Sequence, residues 1–459
     1  MTGVPSNADG RSIYSLRRTR VGRRPETTAV RIRNLYDQTM RIVFTSCLLL
    51  LTVSSAYALD EHAERFVRLA LEVGEYDPDY VDAYLGPEEW STAAKENLQS
   101  EEELAESVAQ LLRDLHAYSP DGTESAIRHR ALLRNVRAMD ARIRMVLGES
   151  FSFAEEARLL YDLVLPDFNF SEFDRILQEI EKLIPGEGDL ADRVDAFRTG
   201  LEIPDEARNA VVDLAIQECR RRTYEYVSLP ASERFTLEYV TDQSWSGYNW
   251  YQGKNESLMQ INTDFPMRIS SAISLGCHEG YPGHHVWNIL VENRLLSGNG
   301  WIEYSIFPLY SPVALIAEGS ANYGIDLAFP GDDKVEYERD TLFPLAGLDP
   351  EQAATMEELR LLMRRLGRAR VATAQLYLDG AISREEAIEQ LREYGLQSRE
   401  RAEQGARFIE QYRSYVVNYS LGQDIVRAYI ENQGDDLQSR WEAFERMLTD
   451  LYSASEMID

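Results

Sequence analysis

The part of the sequence best suited to chemistry is a group of histidines near residue 280. Three of the six histidines, His278, His284 and His285, lie within eight residues, and Glu279 directly follows the first of them. Neutral imidazoles bind zinc, and a carboxylate beside them can take a proton from a water molecule that attacks a substrate. These residue types in this order are typical of a zinc-dependent hydrolase.

The spacing of the histidines differs from the common helical zinc motif, in which the second histidine follows the first by four residues. Pro282 occupies that position here. On a regular helix His284 would lie about 120° around the axis from His278, and His285 would return to the first face about 10 Å further along. Pro282 interrupts the helix, because proline lacks an amide hydrogen and its ring collides with the carbonyl group one turn earlier. A bulge that absorbs two residues would make His284 the second ligand, with His285 and a turn that binds no metal as the alternatives.

Two motifs carry a resemblance to a known family. The pattern His-Glu-x-x-Pro-Gly-His-His resembles the signature of a bacterial family filed as domain of unknown function eight-eight-five, which is itself similar to zinc metallopeptidases of the gluzincin type. The second signature of that family resembles Glu-Gly-Trp-Ala, and the chain has Glu318-Gly319-Ser320-Ala321 at the matching place. The resemblance implies a helix-rich, peptidase-like fold that binds one Zn²⁺ through His278, His284 and Glu318, with Glu279 as the general base.

Glu318 is also unusual for its surroundings in the sequence. The stretch 315–327 consists of apolar and small residues apart from Glu318 and Asp326, which are its only charged residues. A carboxylate in such surroundings usually needs a cation or a hydrogen-bond donor. The alternative is a carboxylate in the first turn of a helix opened by Pro312, where the helix dipole favours it. Together with the His-Glu motif, the pattern favours metal ligation.

The resemblance also covers segments that precede the histidines. Tyr251-Gln252-Gly253 and Ser257 to Asn262 belong to a predicted β ribbon next to the metal-site helix. An exposed edge strand beside a zinc site can bind an extended peptide through main-chain hydrogen bonds. We therefore predict Tyr251, Gly253 and Asn262 as substrate-binding residues, with a purely structural ribbon as the alternative.

A third element of the family is matched near the C-terminus. Tyr419-Ser420-Leu421-Gly422 resembles its Tyr-x-Ile-Gly element, in which a phenol could donate to the oxyanion formed during hydrolysis. Tyr415, one helical turn earlier, is the competing candidate, and a packing role for Tyr419 is the other alternative. The chain departs from the family where Asp-x-Gly-x-His is usual and Ala372-Thr373-Ala374-Gln375-Leu376 stands instead. This departure spares the predicted metal ligands, but it removes polar residues that could contact the substrate or support a ligand.

The elements that position these residues are mostly helices. Apolar residues recur at three- and four-residue spacing in segments such as 101–115, 124–147 and 171–184, as amphipathic helices require. Strand signals are concentrated around the aromatic, glycine-containing segment 245–253. We predict a mainly α fold with a small antiparallel β ribbon. Its N-terminal helical lobe covers 59–230, and the metal-site lobe, with the ribbon and the C-terminal helices, covers 231–459.

The first residues read as a leader. Met40-Arg41 begins a short basic start, which the apolar run 42–53 and the small-residue site Ala56-Tyr57-Ala58 follow. This order is typical of a secretory signal peptide, and the run is too short to span a bilayer comfortably. We therefore predict a signal peptide over 40–58, a non-native upstream extension over 1–39, and a periplasmic or extracellular protein that is not inserted in the membrane after cleavage. A genuine 58-residue leader or an uncleaved anchor is the alternative.

The charge of the chain excludes some partners. The 48 basic and 77 acidic residues give a net charge of -29. Residues 1–58 contain nine Arg and three acids, which leaves 39 basic and 74 acidic residues and a net charge of -35 from Leu59 onward. Nucleic acid and anionic membranes are poor partners for such a surface. Cationic or neutral peptides are better candidate substrates than anionic ones, and export makes Cys219 and Cys277 possible disulfide partners, with buried thiols as the alternative.

Taken together, these patterns predict an exported zinc-dependent, metallopeptidase-like hydrolase that acts on peptide bonds. A nucleophile elbow, a phosphate-binding glycine loop and a dinucleotide fingerprint are absent from the sequence. The alternative is a non-catalytic exported protein that binds metal or peptide on a degenerate peptidase scaffold.

Overall fold

The computed structural model of the protein describes residues 58–243 and 245–458. The predicted upstream extension (1–39) and the predicted signal peptide (40–58) lie outside these residues, apart from Ala58 at its end. In the described part of the chain, no helix combines the length and the apolar character needed to cross a membrane.

Helices make up most of the described chain, and many of them begin with a side-chain cap and acidic residues. Ser100, Ser152 and Ser383 each accept a hydrogen bond from the amide of a glutamate three residues later, whose carboxylate bonds back to the serine amide, which stabilises a helix start. In chain order the helices are α1 (58–76), α2 (Glu88–Glu96), α3 (Glu101–Ala117), α4 (Thr123–Val146), α5 (Phe153–Tyr161), α6 (Phe170–Leu183), α7 (Leu190–Thr199), α8 (Asp205–Tyr224), α9 (Ile269–Leu275), α10 (His284–Leu290), α11 (Pro312–Ala328), α12 (Asp333–Tyr337), α13 (Phe343–Ala346), α14 (Gln352–Leu378), α15 (Arg384–Gly395), α16 (Arg399–Tyr412), α17 (Val417–Glu431), α18 (Leu437–Met447) and α19 (Ala454–Ile458). The predicted mainly α class is confirmed.

The strands form two small sheets. The strands are β1 (Val81–Tyr84), β2 (Arg234–Val240), β3 (Gly247–Gly253), β4 (Glu256–Asn262) and β5 (Ile306–Pro308). β3 and β4 form the predicted antiparallel ribbon, whereas β2 pairs parallel to β4 and the order is β2-β4-β3. The ribbon is therefore part of a mixed sheet with β4 at its centre. β4 buries every second residue. The antiparallel pair β1-β5 was not predicted.

The core of the described residues has two parts. The larger apolar cluster extends from α1 to α19, and a smaller one lies where α6 and α7 pack against α14. Phe173, Ile180, Val194 and Leu366 are buried in the smaller cluster. Helices from before and after residue 230 therefore pack against each other. The predicted division into lobes at 59–230 and 231–459 stays a prediction.

A disulfide bond connects α8 to the segment that carries the histidines. Cys219 lies in α8, and Cys277 lies in a π-helical turn, Gly276–Gly280, that extends α9. Their sulfurs are bonded, with a Cα–Cα distance of 5.4 Å and a sequence separation of 58. Both cysteines are fully buried. Of the two states that the sequence left open, the structure has the bonded one.

Removing this disulfide should destabilise the protein. A bridge that closes a loop of 58 residues stabilises the native state by about 4 kcal/mol in the chain-entropy description. We expect the double variant Cys219→Ala/Cys277→Ala to have a free energy of unfolding that is lower by this amount, and therefore a lower urea midpoint than the wild type. Reductant should shift the wild type to the midpoint of the variant and leave the variant unchanged. A wild-type midpoint that does not respond to reductant would contradict the prediction.

Candidate metal centre

The first two predicted ligands meet because the chain breaks its helix between them. His278 lies in the π-helical turn Gly276–Gly280, and His284 is the first residue of α10. The amide of Gly283 donates to the carbonyl oxygen of Cys277 at 3.0 Å. A Cβ atom on Gly283 would lie 1.8 Å from the carbonyl oxygen of His278, so no other residue could pack this closely. The predicted bulge takes this form, and it turns His284 toward His278.

Three potential ligand atoms converge at this break. His278 Nε2 lies 3.1 Å from His284 Nε2 and 3.4 Å from Glu318 Oε2. His284 Nε2 lies 3.9 Å from Glu318 Oε1. The three side chains are only 12 to 17 % exposed. The structure thus brings together the ligand set that the sequence predicts.

The residues present fit a zinc ion. Two imidazole nitrogens and a carboxylate are a common protein ligand set of catalytic zinc. Glu318 Oε2 is buried and has no hydrogen-bond partner among the described residues, and a buried charged oxygen without a partner is costly. The other oxygen, Oε1, accepts a hydrogen bond from the Tyr415 hydroxyl at 2.9 Å. A cation between the three side chains would satisfy the second oxygen.

The two histidines have opposite pKa shifts. Burial lowers the pKa of both imidazoles, and together with the positive charge of His278 it leaves that of His284 at about 4. At His278 burial is outweighed by the neighbouring carboxylates of Glu318 and Glu279, which raise the pKa to about 9. The two carboxylates therefore stabilise a positive charge at His278.

Glu279, the predicted general base, lies beside the three ligand atoms. Its Oε1 is 4.0 Å from His278 Nε2, and its side chain is 7 % exposed. Burial raises its pKa to about 7, against the opposing effect of His278 and with a further contribution from Glu318. The Asn249 side chain donates to its carbonyl oxygen at 2.5 Å, which connects β3 to the π-helical turn.

Glu318 is positioned by a close contact between two helices. A Cβ atom on Gly319 in α11 would lie 2.5 Å from the carbonyl carbon of Gly422 in α17, and one on Gly422 would lie 2.9 Å from the carbonyl oxygen of Leu315. The two glycines belong to the second and third motifs identified in the sequence. They allow α11 and α17 to touch, and this contact brings the tyrosines near α17 to Glu318.

The two candidate tyrosines have different positions at the centre. Tyr415 lies in the turn before α17, and its hydroxyl is bonded to Glu318. Tyr419 lies one turn further along, with its ring centroid 5.7 Å from that of Tyr415. Both line the same cleft. Since Tyr415 already donates to the ligand carboxylate, Tyr419 remains the candidate for an oxyanion donor.

His285 points away from the three ligand atoms. It is fully buried, with Nδ1 2.7 Å from Ser257 Oγ and Nε2 3.2 Å from Glu233 Oε1. Tyr281 and Arg220 also bond to Glu233. His285 therefore anchors α10 to the sheet, and it is His284 rather than His285 that lies beside His278 and Glu318.

Of the three predicted substrate-binding residues, only Tyr251 lines the cleft. Tyr251 lines the cleft next to the centre, and its hydroxyl donates to Glu292. Gly253 lies at the end of β3 with a φ of 76°, in the tight turn to β4. The Asn262 side chain donates to the carbonyl oxygens of Gln243 and Trp245. Neither Gly253 nor Asn262 is among the described residues that line the cleft.

The cleft has a volume of about 1320 Å³ and extends from the metal centre between β3, α14 and α16. Sequence reasoning missed several residues that line it, among them Asp82, Asn322 and Arg370. Asp82 accepts a hydrogen bond from the Tyr248 hydroxyl at 3.2 Å. Asn322 follows Glu318 by one helical turn and adjoins His278; this i,i+4 spacing was the one available signal.

Comparisons with known proteins add little beyond the fold. No protein-family model and no curated protein matches the chain. Among solved structures, a presumed lipoprotein from Colwellia psychrerythraea is similar with a TM-score of 0.48 and 15 % identity, over 78 % of this chain and 71 % of that one. A presumed lipoprotein of unknown function from Shewanella oneidensis has a TM-score of 0.41 and 13 % identity, over 78 % and 75 %. The protein BsuCP has a TM-score of 0.43 and 12 % identity, over 86 % and 89 %.

Zinc affinity should depend on the three convergent side chains. We expect His278→Ala, His284→Ala and Glu318→Ala each to weaken zinc binding more than about 100-fold, since residues that only orient a ligand contribute about 10- to 100-fold. Tyr415→Phe should fall in that lower range. Chelator competition and zinc content by mass spectrometry measure these effects.

Two histidine variants serve as controls for the zinc titration. His116→Ala removes an exposed histidine, and His285→Gln removes the alternative ligand. Both should retain one zinc per chain. Loss of the ion in folded His285→Gln, with retention in His284→Ala, would contradict the ligand assignment.

The contact between α11 and α17 should tolerate no side chain. Gly319→Ala places a methyl group against the Gly422 backbone, and such overpacking costs about 1–3 kcal/mol of unfolding free energy. As a matched control, a Cβ atom on Gly405 in α16 would lie 3.7 Å from Leu391 Cδ1, an ordinary contact. Gly405→Ala should stabilise the helix by up to about 1 kcal/mol. Equal urea midpoints for the two variants would contradict the prediction.

Proposed function

We propose that the protein is an exported zinc-dependent hydrolase that cleaves peptide bonds, related to the family that its motifs resemble. The observation that carries the proposal is the convergence of His278, His284 and Glu318 with Glu279 beside them. This group lies at one end of a cleft large enough for several residues of a peptide. A polar site in a large concave surface is the usual form of an active site.

Each residue of the centre has a distinct role in the proposed reaction. A bound Zn²⁺ supplies Lewis acidity toward a peptide carbonyl and a water molecule. Glu279 takes a proton from the attacking water and delivers it to the leaving amine, for which a carboxyl pKa of about 7 is well suited. Tyr415 holds Glu318 in place by its hydrogen bond. Tyr419 donates to the oxyanion that develops on the substrate.

Strand β3 supports a peptide as the substrate. It is the edge of its sheet, since β4 pairs with only one of its sides, and residues 247–251 line the cleft. A Cβ atom on Gly247 would lie 3.4 Å from Glu279 Oε1, so the strand passes directly beside the general base. An extended peptide that pairs with the free edge would have its backbone next to Glu279.

Export is supported by two features. The sequence of residues 40–58 has the order of a secretory signal. The Cys219–Cys277 disulfide is of a kind that persists in oxidising compartments, such as the periplasm or the extracellular space.

The proposal is tested by removing the general base while keeping the ligands. Glu279→Gln should lower kcat/KM on a peptide library by about 10²- to 10⁴-fold, the usual contribution of general acid–base catalysis, and should still bind one zinc. Glu256→Gln, at a half-exposed position in β4, removes one negative charge as a control and should retain wild-type rates.

The outcome separates the enzyme from the alternative function. Unchanged turnover in Glu279→Gln would contradict the mechanism. Stoichiometric zinc without turnover by the wild type on any peptide would indicate a non-catalytic protein that binds metal or peptide. Protein without zinc, purified in the absence of chelator, would contradict both functions.

A further inference from the structure

One arginine in the cleft has no hydrogen-bond or ion-pair partner in the part of the chain that the structure describes. Arg370 lies in α14 and is partly buried, and its Nε is buried without a hydrogen-bond partner. No hydrogen bond or ion pair of its guanidinium is found among the described residues. A desolvated charge without a counter-ion is unfavourable, and burial lowers the pKa of this guanidinium. The lack of a partner is notable in a protein with such an excess of carboxylates.

The other arginines of the same helix show what is usual here. Arg360 bonds to Glu357, Arg364 to Asp326, Arg365 to Glu179 and Arg368 to Asp424, at 2.6 to 3.0 Å. Their partners come from their own helix or from helices that pack against it. Arg370 differs because its side of α14 faces the cleft, where no carboxylate of residues 58–243 or 245–458 forms an ion pair with it.

The position of Arg370 relates it to the metal centre. Its guanidinium lies over the ring of Phe408, 4.9 Å from the centroid. The Phe408 ring is 6.3 Å from the ring of Tyr419, and Tyr419 is 5.7 Å from Tyr415, which bonds to Glu318. Tyr419 is also the titratable neighbour that acts on the pKa of Arg370. Arg370 therefore lies on the same wall as the proposed oxyanion donor, one aromatic side chain away from it.

A guanidinium in this position is suited to one kind of ligand. Its planar set of donors matches a carboxylate, which it binds through two parallel hydrogen bonds. The flat face is already covered by Phe408, so the hydrogen-bonding edge remains for a ligand. We infer that Arg370 binds a carboxylate of the substrate, one or two residues from the scissile bond, and so determines specificity.

This inference rests on the proposed peptide hydrolysis, and it names the substrate class. The carboxylate can come from the C-terminus of the peptide, which would make the protein a carboxypeptidase. It can also come from an aspartate or glutamate side chain near the cleaved bond. The chemistry recognised by Arg370 is the same in both cases.

Three peptides that differ only at the C-terminal residue or its end group distinguish these sources. The first is an acetylated tetrapeptide with a free C-terminal carboxylate, and the second is its C-terminal amide. The third is the amide with an aspartate as its last residue. Their dissociation constants are measured by calorimetry on zinc-loaded Glu279→Gln, which should bind without turnover, and wild-type kcat/KM is measured in parallel.

We expect a carboxylate peptide to bind about 10- to 100-fold more tightly than the neutral amide, the size of a hydrogen-bonded charge pair. Preference for the first peptide indicates the C-terminus, and preference for the third indicates a side chain. In the double variant Glu279→Gln/Arg370→Gln, the carboxylate peptide should lose its advantage over the neutral amide, and the affinity of the neutral amide should stay unchanged. Arg370→Lys should retain part of the preference for a carboxylate, because lysine keeps the positive charge but lacks the planar pair of hydrogen-bond donors.

Arg368→Gln is the matched control, since it removes the same charge from the same helix at an exposed position. It should retain the preference. Equal affinities of the three peptides, or no measurable binding, would overturn the inference, as would a loss in Arg370→Gln that is the same for acid and amide. Preference without wild-type turnover would support Arg370 binding and contradict the hydrolase. Turnover by the wild type without a preference for a carboxylate would support the hydrolase and contradict the role of Arg370.

Discussion

The candidate site depends on the contact between the π-helical turn and the start of α10. A continuous helix would carry His278 and His284 on different faces. The structure avoids this by ending one helix in a wide turn and starting the next against it. The contact is possible because Gly283 has no side chain to collide with the carbonyl oxygen of His278. Two residues that sequence spacing separates thereby become neighbours.

The same principle operates at the third ligand. Gly319 and Gly422 let α11 and α17 approach to backbone contact, and Glu318 is the residue that precedes the first of these glycines. The disulfide at Cys277 fixes the π-helical turn to α8. The candidate metal centre is thus assembled by backbone contacts, which bring its side chains together.

The net charge of the chain and the local charge of the cleft favour substrates of opposite charge. The acidity of the chain favours cationic or neutral peptides as substrates, and that remains a prediction. The cleft, however, contains a guanidinium without a counter-ion in Arg370. A charge held in a partly desolvated cleft acts on its ligand at short range, whereas the charges of the outer surface are screened by solvent and salt. In the proposed enzyme, substrate selection therefore depends on the cleft.

The sequence by itself determined the helical class, the β ribbon and the residue types of the metal centre, because periodicity and ligand chemistry are local properties. Tertiary structure decided between His284 and His285, since the geometry of the break at Gly283 sets which imidazole faces Glu318. It also gave Tyr415 its bond to that ligand and placed Arg370 in the cleft. These features depend on helix contacts between residues far apart in the chain, and composition and spacing carry no information about such contacts.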